Sequence, residues 1–377
     1  MLKLPHRRQF LHLAASALAL PAVSPKAWAQ DYPARPITIV VPFAAGGPTD
    51  TLARILAERL AASLKQTVVI ENTVGAAGSI GVNRVARASP DGYTVSIGHL
   101  GTHVINGAIY PLQYDLVTDF EPVGLIADHP SIVVSKNAVP ARDLQELIVW
   151  AKSNGASVGT SGIGAVTHVA GIQFQNLTGA QLRYVPYRGA GPALQDLVAG
   201  QIDLMFDQAS NSLPHIRGNR IRAYAVMDKR RLAAAPDIPT VDEAGMPNFY
   251  ISVWHALWVP KGTPKVIVAR LNAALVETLD DATVRARLAD LGQQIWPRDQ
   301  QTQHPKQCSP AEDKCFHQTY SSPFESEILA LSMSVSSPKN ASVSADTRSL
   351  LLAGASQIPM PKAAALRSFS YLQRTID

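Results

Sequence analysis

The chain has 377 residues, of which 46% are hydrophobic, and a formal net charge of +5. That length allows two ordinary domains, each with a proper core. Lys3, Arg7, Arg8 and Lys26 carry four of the five surplus charges and no acid accompanies them, so about +1 remains beyond residue 29. A balance that small leaves no basic footprint, and nucleic acid is excluded as a partner.

The first residues, MLKLPHRRQFLHLAASALALPAVSPKAWAQ, combine a basic start, a short apolar run and the small-residue end Ala27-Trp28-Ala29. This is the pattern of a secretory signal cut after Ala29. The RRQFL stretch resembles a twin-arginine signal, with His6 where Ser or Thr is usual, so the segment fits Tat- or Sec-type export. Pro21 and Pro25 break the apolar run, and no later segment holds 18 unbroken apolar residues, so the mature protein is expected to be soluble. Cys308 and Cys315 are the only cysteines, and the exported core needs no disulfide frame.

From Pro36 to Trp296, short β-branched runs alternate with longer helical patterns. ITIVV (37–41) precedes a helix expected to start near Pro48, and TVVIEN (67–72) leads through AAGSIGVNRVARA to DGYTVSIGH. Later, ASVGTSG, LRYVPYRG, QIDLMFDQ and RIRAYAVM read as strands separated by helices. That order argues for parallel sheets covered by helices. Two stretches break the rhythm: 120–138, with two apolar runs and no helix between, and 248–264, a long aromatic-rich extended segment. Each is expected to carry the backbone between two lobes. The domain reading is an export signal over 1–29, lobe 1 over 31–124 and 253–302, and lobe 2 over 125–252. The Ser-rich end, 303–377, loses the rhythm and is expected to be loosely ordered.

The loops carry the chemistry. In PFAAGGPTD, Pro48 suits the first helical position and Asp50 favours the helix start. Gly46 and Gly47 let the backbone turn and offer its N–H groups to an anion without a cation. A tight βα turn with no ligand is the competing reading. GTSGIGAVTH (159–168) has the same make-up, and the two loops are expected to face each other at the carboxyl ends of strands. Charge-assisted bonds of roughly 1.5–3 kcal/mol each would give affinity on the order of micromolar. Asp207 ends the strand IDLMFD and is expected either to read a ligand group or to cap the next turn. Tyr187, Arg188 and Gly189, and Asn72 with the GAAG turn (75–78), are weaker candidates, with Arg188 expected to be solvated. Trp254 and Trp258 are expected to pack at a crossover.

Enzymatic patterns are missing. Thr167 stands where a dinucleotide fingerprint needs its third glycine, and Ile163 where a nucleophile elbow needs its last. His99 and His103 are the nearest approach to a metal pair, and neither metal nor cofactor is expected.

The segments YPARPITIVVPFAAGGPTDTLAR, VVIENTVGAAGSIGVNRVARASPDGYT, THVAGIQFQNLTGA, VPYRGAGPALQDLVAGQIDLMFD, RLAAAPDIPTVDEAG and WHALWVPKGTP resemble the solute receptors of tripartite tricarboxylate transporters, also called Bug receptors. The resemblance runs from about Tyr32 to Arg298. It implies an α/β protein of the periplasmic binding protein type II-like class, two lobes with a ligand cleft between them, and no catalysis. It implies a small carboxylate (a di- or tricarboxylate, an acidic amino acid or an aromatic acid), membrane permease subunits as partners, and a monomer. By motif it implies binding by Phe43, Ala44, Ala45, Gly46, Gly47, Thr49 and Asp50 on one side. Ser161, Gly162, Gly164, Thr167 and His168 stand on the other, with Asp207 nearby. After Gln301 the chain departs from the family pattern, which continues with a charged helix; a shifted reading frame or a fused end is the reading of this departure.

Overall fold

The computed structural model describes residues 32–301. The expectations for the export signal and for the Ser-rich end therefore lie outside the described residues. Strand β1 (Ile37–Val41) is ITIVV, and Ile37, Ile39, Val40 and Val41 are all buried, as a β-branched run covered on both faces should be. Helix α1 (Pro48–Leu64) starts on Pro48, holds Asp50 in its first turn and buries Leu52, Ile55, Leu56, Leu60 and Leu64 at helical spacing. Strand β2 (Val68–Asn72), helix α2 (Ser79–Ala86) and strand β3 (Thr94–His99) complete the first βαβ run.

Strand β4 (Phe120–Lys136) runs 17 residues without interruption. After it come α3 (Leu144–Asn154), β5 (Ala156–Thr160), α4 (Val166–Thr178), β6 (Leu182–Pro186), α5 (Ala190–Val198), β7 (Leu204–Gln208), α6 (Ala209–Arg217) and β8 (Ile221–Val226). Strand β9 (Ser252–Pro260) and helices α7 (Lys265–Asp280) and α8 (Ala282–Asp290) follow, and a two-residue strand β10 (Gln294–Ile295) pairs with β4.

Among the described residues the strands form one sheet in the order β2-β1-β3-β9-β4-β7-β5-β6, with β8 and β10 also on β4. The sheet is mixed, which corrects the parallel expectation. β1 pairs parallel with β2 and β3, and β5 with β6 and β7, but β4 and β9 run antiparallel to their neighbours. The cause is strand order: β9, late in the chain, is inserted between β3 and β4 and opposes both, and β4 in turn opposes β7 and β8 of the second half. The first part of β4 pairs with β9, from Phe120↔Pro260 to Pro130↔Ser252, and the second part pairs with β7 and β8. It belongs to both halves of the sheet. The proposed lobe boundaries at 124/125 and 252/253 fall inside β4 and at the start of β9.

The second half is built on a cluster of Phe174, Phe206 and Phe249, with centroids 5.1–6.0 Å apart. Another core, with Ile132, Leu194, Leu197, Met205 and Leu213, fills its opposite face. Trp258 stacks on His103 at 3.7 Å and lies 6.0 Å from Trp254, so both indoles pack at the crossover.

Candidate functional site

A cavity of about 320 Å³ lies where the strand ends of the two halves meet. Its wall comprises Phe43 from the β1–α1 loop, Gly75–Gly78, Tyr110, Ser161 to Ile163 from the β5–α4 loop, and Pro186 to Arg188 at the end of β6. Among the described residues no Asp or Glu lines it, and Arg188 is the cation in its wall. Arg188 is exposed, and its guanidinium has no ion pair or hydrogen bond among the described residues.

The opening loop is shaped from inside. Asp50 is buried, and its carboxylate accepts from Gly46 N–H at 2.9 Å, from Arg54 at 2.9 and 3.0 Å, and from Asn72 Nδ2 at 2.9 Å. The same Asn72 amide donates to Phe43 O at 2.9 Å. Burial alone would raise the Asp50 pKa, but Arg54, the Gly46 amide and Asn72 together hold it below the usual carboxylate range. Asp50 therefore staples the loop instead of offering a group to solvent. The expectation of freely exposed amides needs correction here: Gly46 N–H is taken by Asp50, and Ala44 N–H donates to Arg188 O at 3.0 Å. The amides of Ala45 and Gly47 find no acceptor among the described residues. Thr49 is buried too, with Oγ1 3.1 Å from His255 Nε2.

The second loop is braced similarly. Ser161 N–H donates to Thr167 Oγ1 at 2.8 Å, and the two hydroxyls lie 3.0 Å apart. Gly164 N–H donates to His168 Nδ1 at 3.0 Å, and burial lowers the pKa of that imidazole. Bonded in this way, His168 is no base for Ser161. The amides of Gly162 and Ile163 have no acceptor among the described residues.

The two loops, expected to face each other, both contribute to the cavity wall, through Phe43 and through Ser161 to Ile163, but each makes its close backbone approach to another segment. A Cβ on Gly162 would lie 3.3 Å from Ala77 Cα, and one on Gly191 would lie 2.9 Å from the Gly46 carbonyl carbon and the Gly47 nitrogen. The GAAG turn is unusual, because φ is positive at Gly75 (130°), Ala76 (43°), Ala77 (48°) and Gly78 (92°). Such backbone costs on the order of 1–2 kcal/mol per alanine. Asn106 Nδ2 holds it by donating to Ala77 O at 3.0 Å. The Ala76 and Ala77 amides have no acceptor among the described residues.

Asp207 stands apart from the cavity wall. It is fully buried; one carboxylate oxygen accepts from Asn211 at 2.8 Å and Ser212 at 2.6 Å, and the other makes no well-formed hydrogen bond among the described residues. Burial pushes its pKa up to about 7 against those bonds. Of the two readings of Asp207, this geometry is that of a group holding the first turn of α6. Of the sequence candidates, Phe43, Ser161 and Gly162 share the cavity wall; Ala44, Ala45, Gly46, Gly47, Thr49, Asp50, Gly164, Thr167 and His168 lie behind or beside it.

Residues 52–309 match the model of the tripartite tricarboxylate transporter family receptor, TctC. The chain belongs to this family. The match begins just beyond the opening loop. Among solved structures, MatC from Rhodopseudomonas palustris with bound malate is 41% identical, with a TM-score of 0.69 over 72% of this chain and 93% of that one. The periplasmic binding protein BugD is 41% identical, with a TM-score of 0.68 over 70% and 89%. A second R. palustris protein, Rpa4515 with adipate, is 35% identical, with a TM-score of 0.68 over 70% and 90%. The chain is thus a Bug-type solute-binding receptor in an α/β binding-protein fold.

For a receptor of this family, the sequence signals of Tyr110 and Ile163 were silent. Tyr110 Oη donates to Ile163 O across the cavity, and no pattern joins residues 53 positions apart. The positive φ of Ala76 and Ala77 likewise has no residue signature, because alanine marks no turn.

Proposed function

We propose that this receptor is periplasmic, captures a small dicarboxylate in the 320 Å³ cavity and presents it to the membrane permease subunits of its transporter. The observation that carries the reading is the chemistry of the wall among the described residues: free amides at Ala76, Ala77, Gly162 and Ile163, one unpaired Arg188 and no acid. Amides of this kind satisfy one carboxylate, and the guanidinium suits a second. Malate in MatC and adipate in Rpa4515 are the same class of compound. Binding favours the arrangement in which residues 31–124 and 253–302 close on 125–252 as two lobes. The receptor returns the ligand chemically unchanged, since Ser161 has no imidazole base.

Thermal shift with a panel of malate, adipate, tricarboxylates, acidic amino acids and aromatic acids tests this. A ligand at one hundred times its Kd stabilises by about 2.7 kcal/mol, which moves the midpoint by roughly 5–10 °C in a domain this size. No shift with malate or adipate, or conversion of either compound, refutes the reading.

A further inference from the structure

Three imidazoles lie side by side on β3, β9 and β4. His99 is directly opposite His255, with centroids 5.2 Å apart in an edge arrangement. His255 is opposite Ala127 on β4, and His129 is two residues along on the same face, where a diagonal cross-strand neighbour sits. The small Ala127 side chain leaves room for the two rings to approach, with centroids 5.0 Å apart. The His129 and His255 side chains are fully buried.

Their hydrogen bonds form one line. Thr49 Oγ1 lies 3.1 Å from His255 Nε2, His255 Nδ1 lies 3.1 Å from His129 Nε2, and His129 Nδ1 lies 3.4 Å from Ser210 Oγ. Both terminal hydroxyls occupy the second position of a helix: Thr49 in α1 of the first half and Ser210 in α6 of the second. Burial, reinforced by the neighbouring imidazoles, lowers the pKa of His129 to about 3 and that of His255 well below its ordinary value, so each ring carries one proton.

Such a line permits two orders. The atoms His255 Nδ1 and His129 Nε2 face each other, so one must be N–H and the other bare. If His255 donates, both rings are Nδ1–H, Thr49 must be the donor at its end, and Ser210 accepts. If His129 donates, both rings are Nε2–H, Ser210 is the donor and Thr49 accepts. Mixed tautomers place two lone pairs or two protons face to face in a dry interior, which costs a buried polar group its partner.

We propose that Thr49, His255, His129 and Ser210 form one polarised hydrogen-bond relay between the halves of the sheet, with His129 and His255 as positioning residues for the first-half loop. His99 links the relay to the cavity, because its ring also stacks on Phe43 at 5.1 Å. Only that last connection rests on the binding reading; the relay stands without it.

The test is the tautomer of each ring in the full chain, labelled with nitrogen-15 histidine, ligand-free at pH 7.5, by long-range nitrogen–proton correlation. Wild type is expected to show the same tautomer, or the same average, in His129 and His255. Thr49→Val leaves His255 Nε2 without a donor or an acceptor, and an orphan buried N–H is avoided, so both rings become Nδ1–H. Ser210→Ala does the reverse, and both become Nε2–H. Whichever order wild type holds, at least one variant must therefore exchange the pyrrole-type and pyridine-type resonances in both rings, including the one it does not touch. Thr49→Ser keeps the hydroxyl and retains the wild-type pattern. Opposite tautomers in wild type, or a far ring that follows neither variant, overturns the relay; the wild-type measurement stands even if a variant fails to fold. Carboxylate binding is not used, so failure here leaves the proposed function intact.

Discussion

Acid should destabilise this receptor steeply, and the amount follows from its buried imidazoles. His99, His103, His129 and His255 are all buried, and burial lowers their pKa values to about 4, about 3, about 3 and well below the ordinary 6.5. Coulombic repulsion among the rings adds to the effect for all but His99. A neutral native ring and an unfolded one that protonates near pH 6.5 make stability fall by about 1.4 kcal/mol per pH unit below that point. Between pH 7.5 and 5.0 the loss is about 2 kcal/mol per ring, or about 8 kcal/mol for the four.

Asp207 acts in the opposite sense. Its folded pKa, about 7, lies above the unfolded 3.8, so its contribution is fully present below pH 3.8 and is lost as pH rises through 7. Going down to pH 5.0 it restores about 2.5 kcal/mol, and Asp128, also raised by burial, adds to that offset. The net loss is about 5 kcal/mol, a large share of a typical domain stability. Urea unfolding followed by circular dichroism at half-unit steps from pH 7.5 to 5.0 measures it. The slope near pH 5.5 should correspond to about three protons taken up on unfolding. A slope of one proton or fewer means that the rings are not held neutral in a dry interior, and the packing argument for β3, β9 and β4 fails with it.

Other perturbations separate the parts of the site. Asp50→Ala removes the acceptor of Gly46, Arg54 and Asn72 and should lower stability by about 2–3 kcal/mol, measured by urea unfolding at pH 7.5. It should also weaken carboxylate binding although Asp50 does not line the cavity. Arg188→Gln should leave the ligand-free melting midpoint unchanged and reduce malate affinity by about 10- to 100-fold, from the loss of one charge-assisted contact, read by titration calorimetry; an equal affinity removes Arg188 from the site. Gly191→Ala places a methyl 2.9 Å from the backbone of Gly46 and Gly47, so closure should suffer. Small-angle scattering with saturating malate should then show a larger radius than wild type, and an identical radius refutes the close-approach argument.

How much of this was legible depended on whether a property is carried by nearby residues. The β1–loop–α1 unit could be read because Ile37 to Val41, Pro48 and Asp50 are contiguous and each has a local reason to be there. The breaks in rhythm at 120–138 and 248–264 coincide with β4 and β9, which pair with each other in the middle of the sheet. Their antiparallel direction was not legible, since direction depends on which end of the sheet the chain returns to. Side-chain aim was hidden as well. Asp50 at a helix start has the same letters whether it faces a ligand or turns back to Gly46, and only the positions of Asn72 and Arg54 decide it.

The histidines make the same point at longer range. His129 and His255 are separated by 126 positions and each reads as an isolated polar residue in an apolar run. They become a pair because the β4–β9 register sets His255 opposite Ala127, and a one-residue slip would turn every side chain of β9 to the other face. That register is itself fixed by the apolar residues on the same face, Val253, Leu257 and Val259 being buried. The hydrophobic pattern therefore fixes the polar line it does not mention. Substituting Val253 or Leu257 with a polar residue should disturb the imidazole pair without touching either ring.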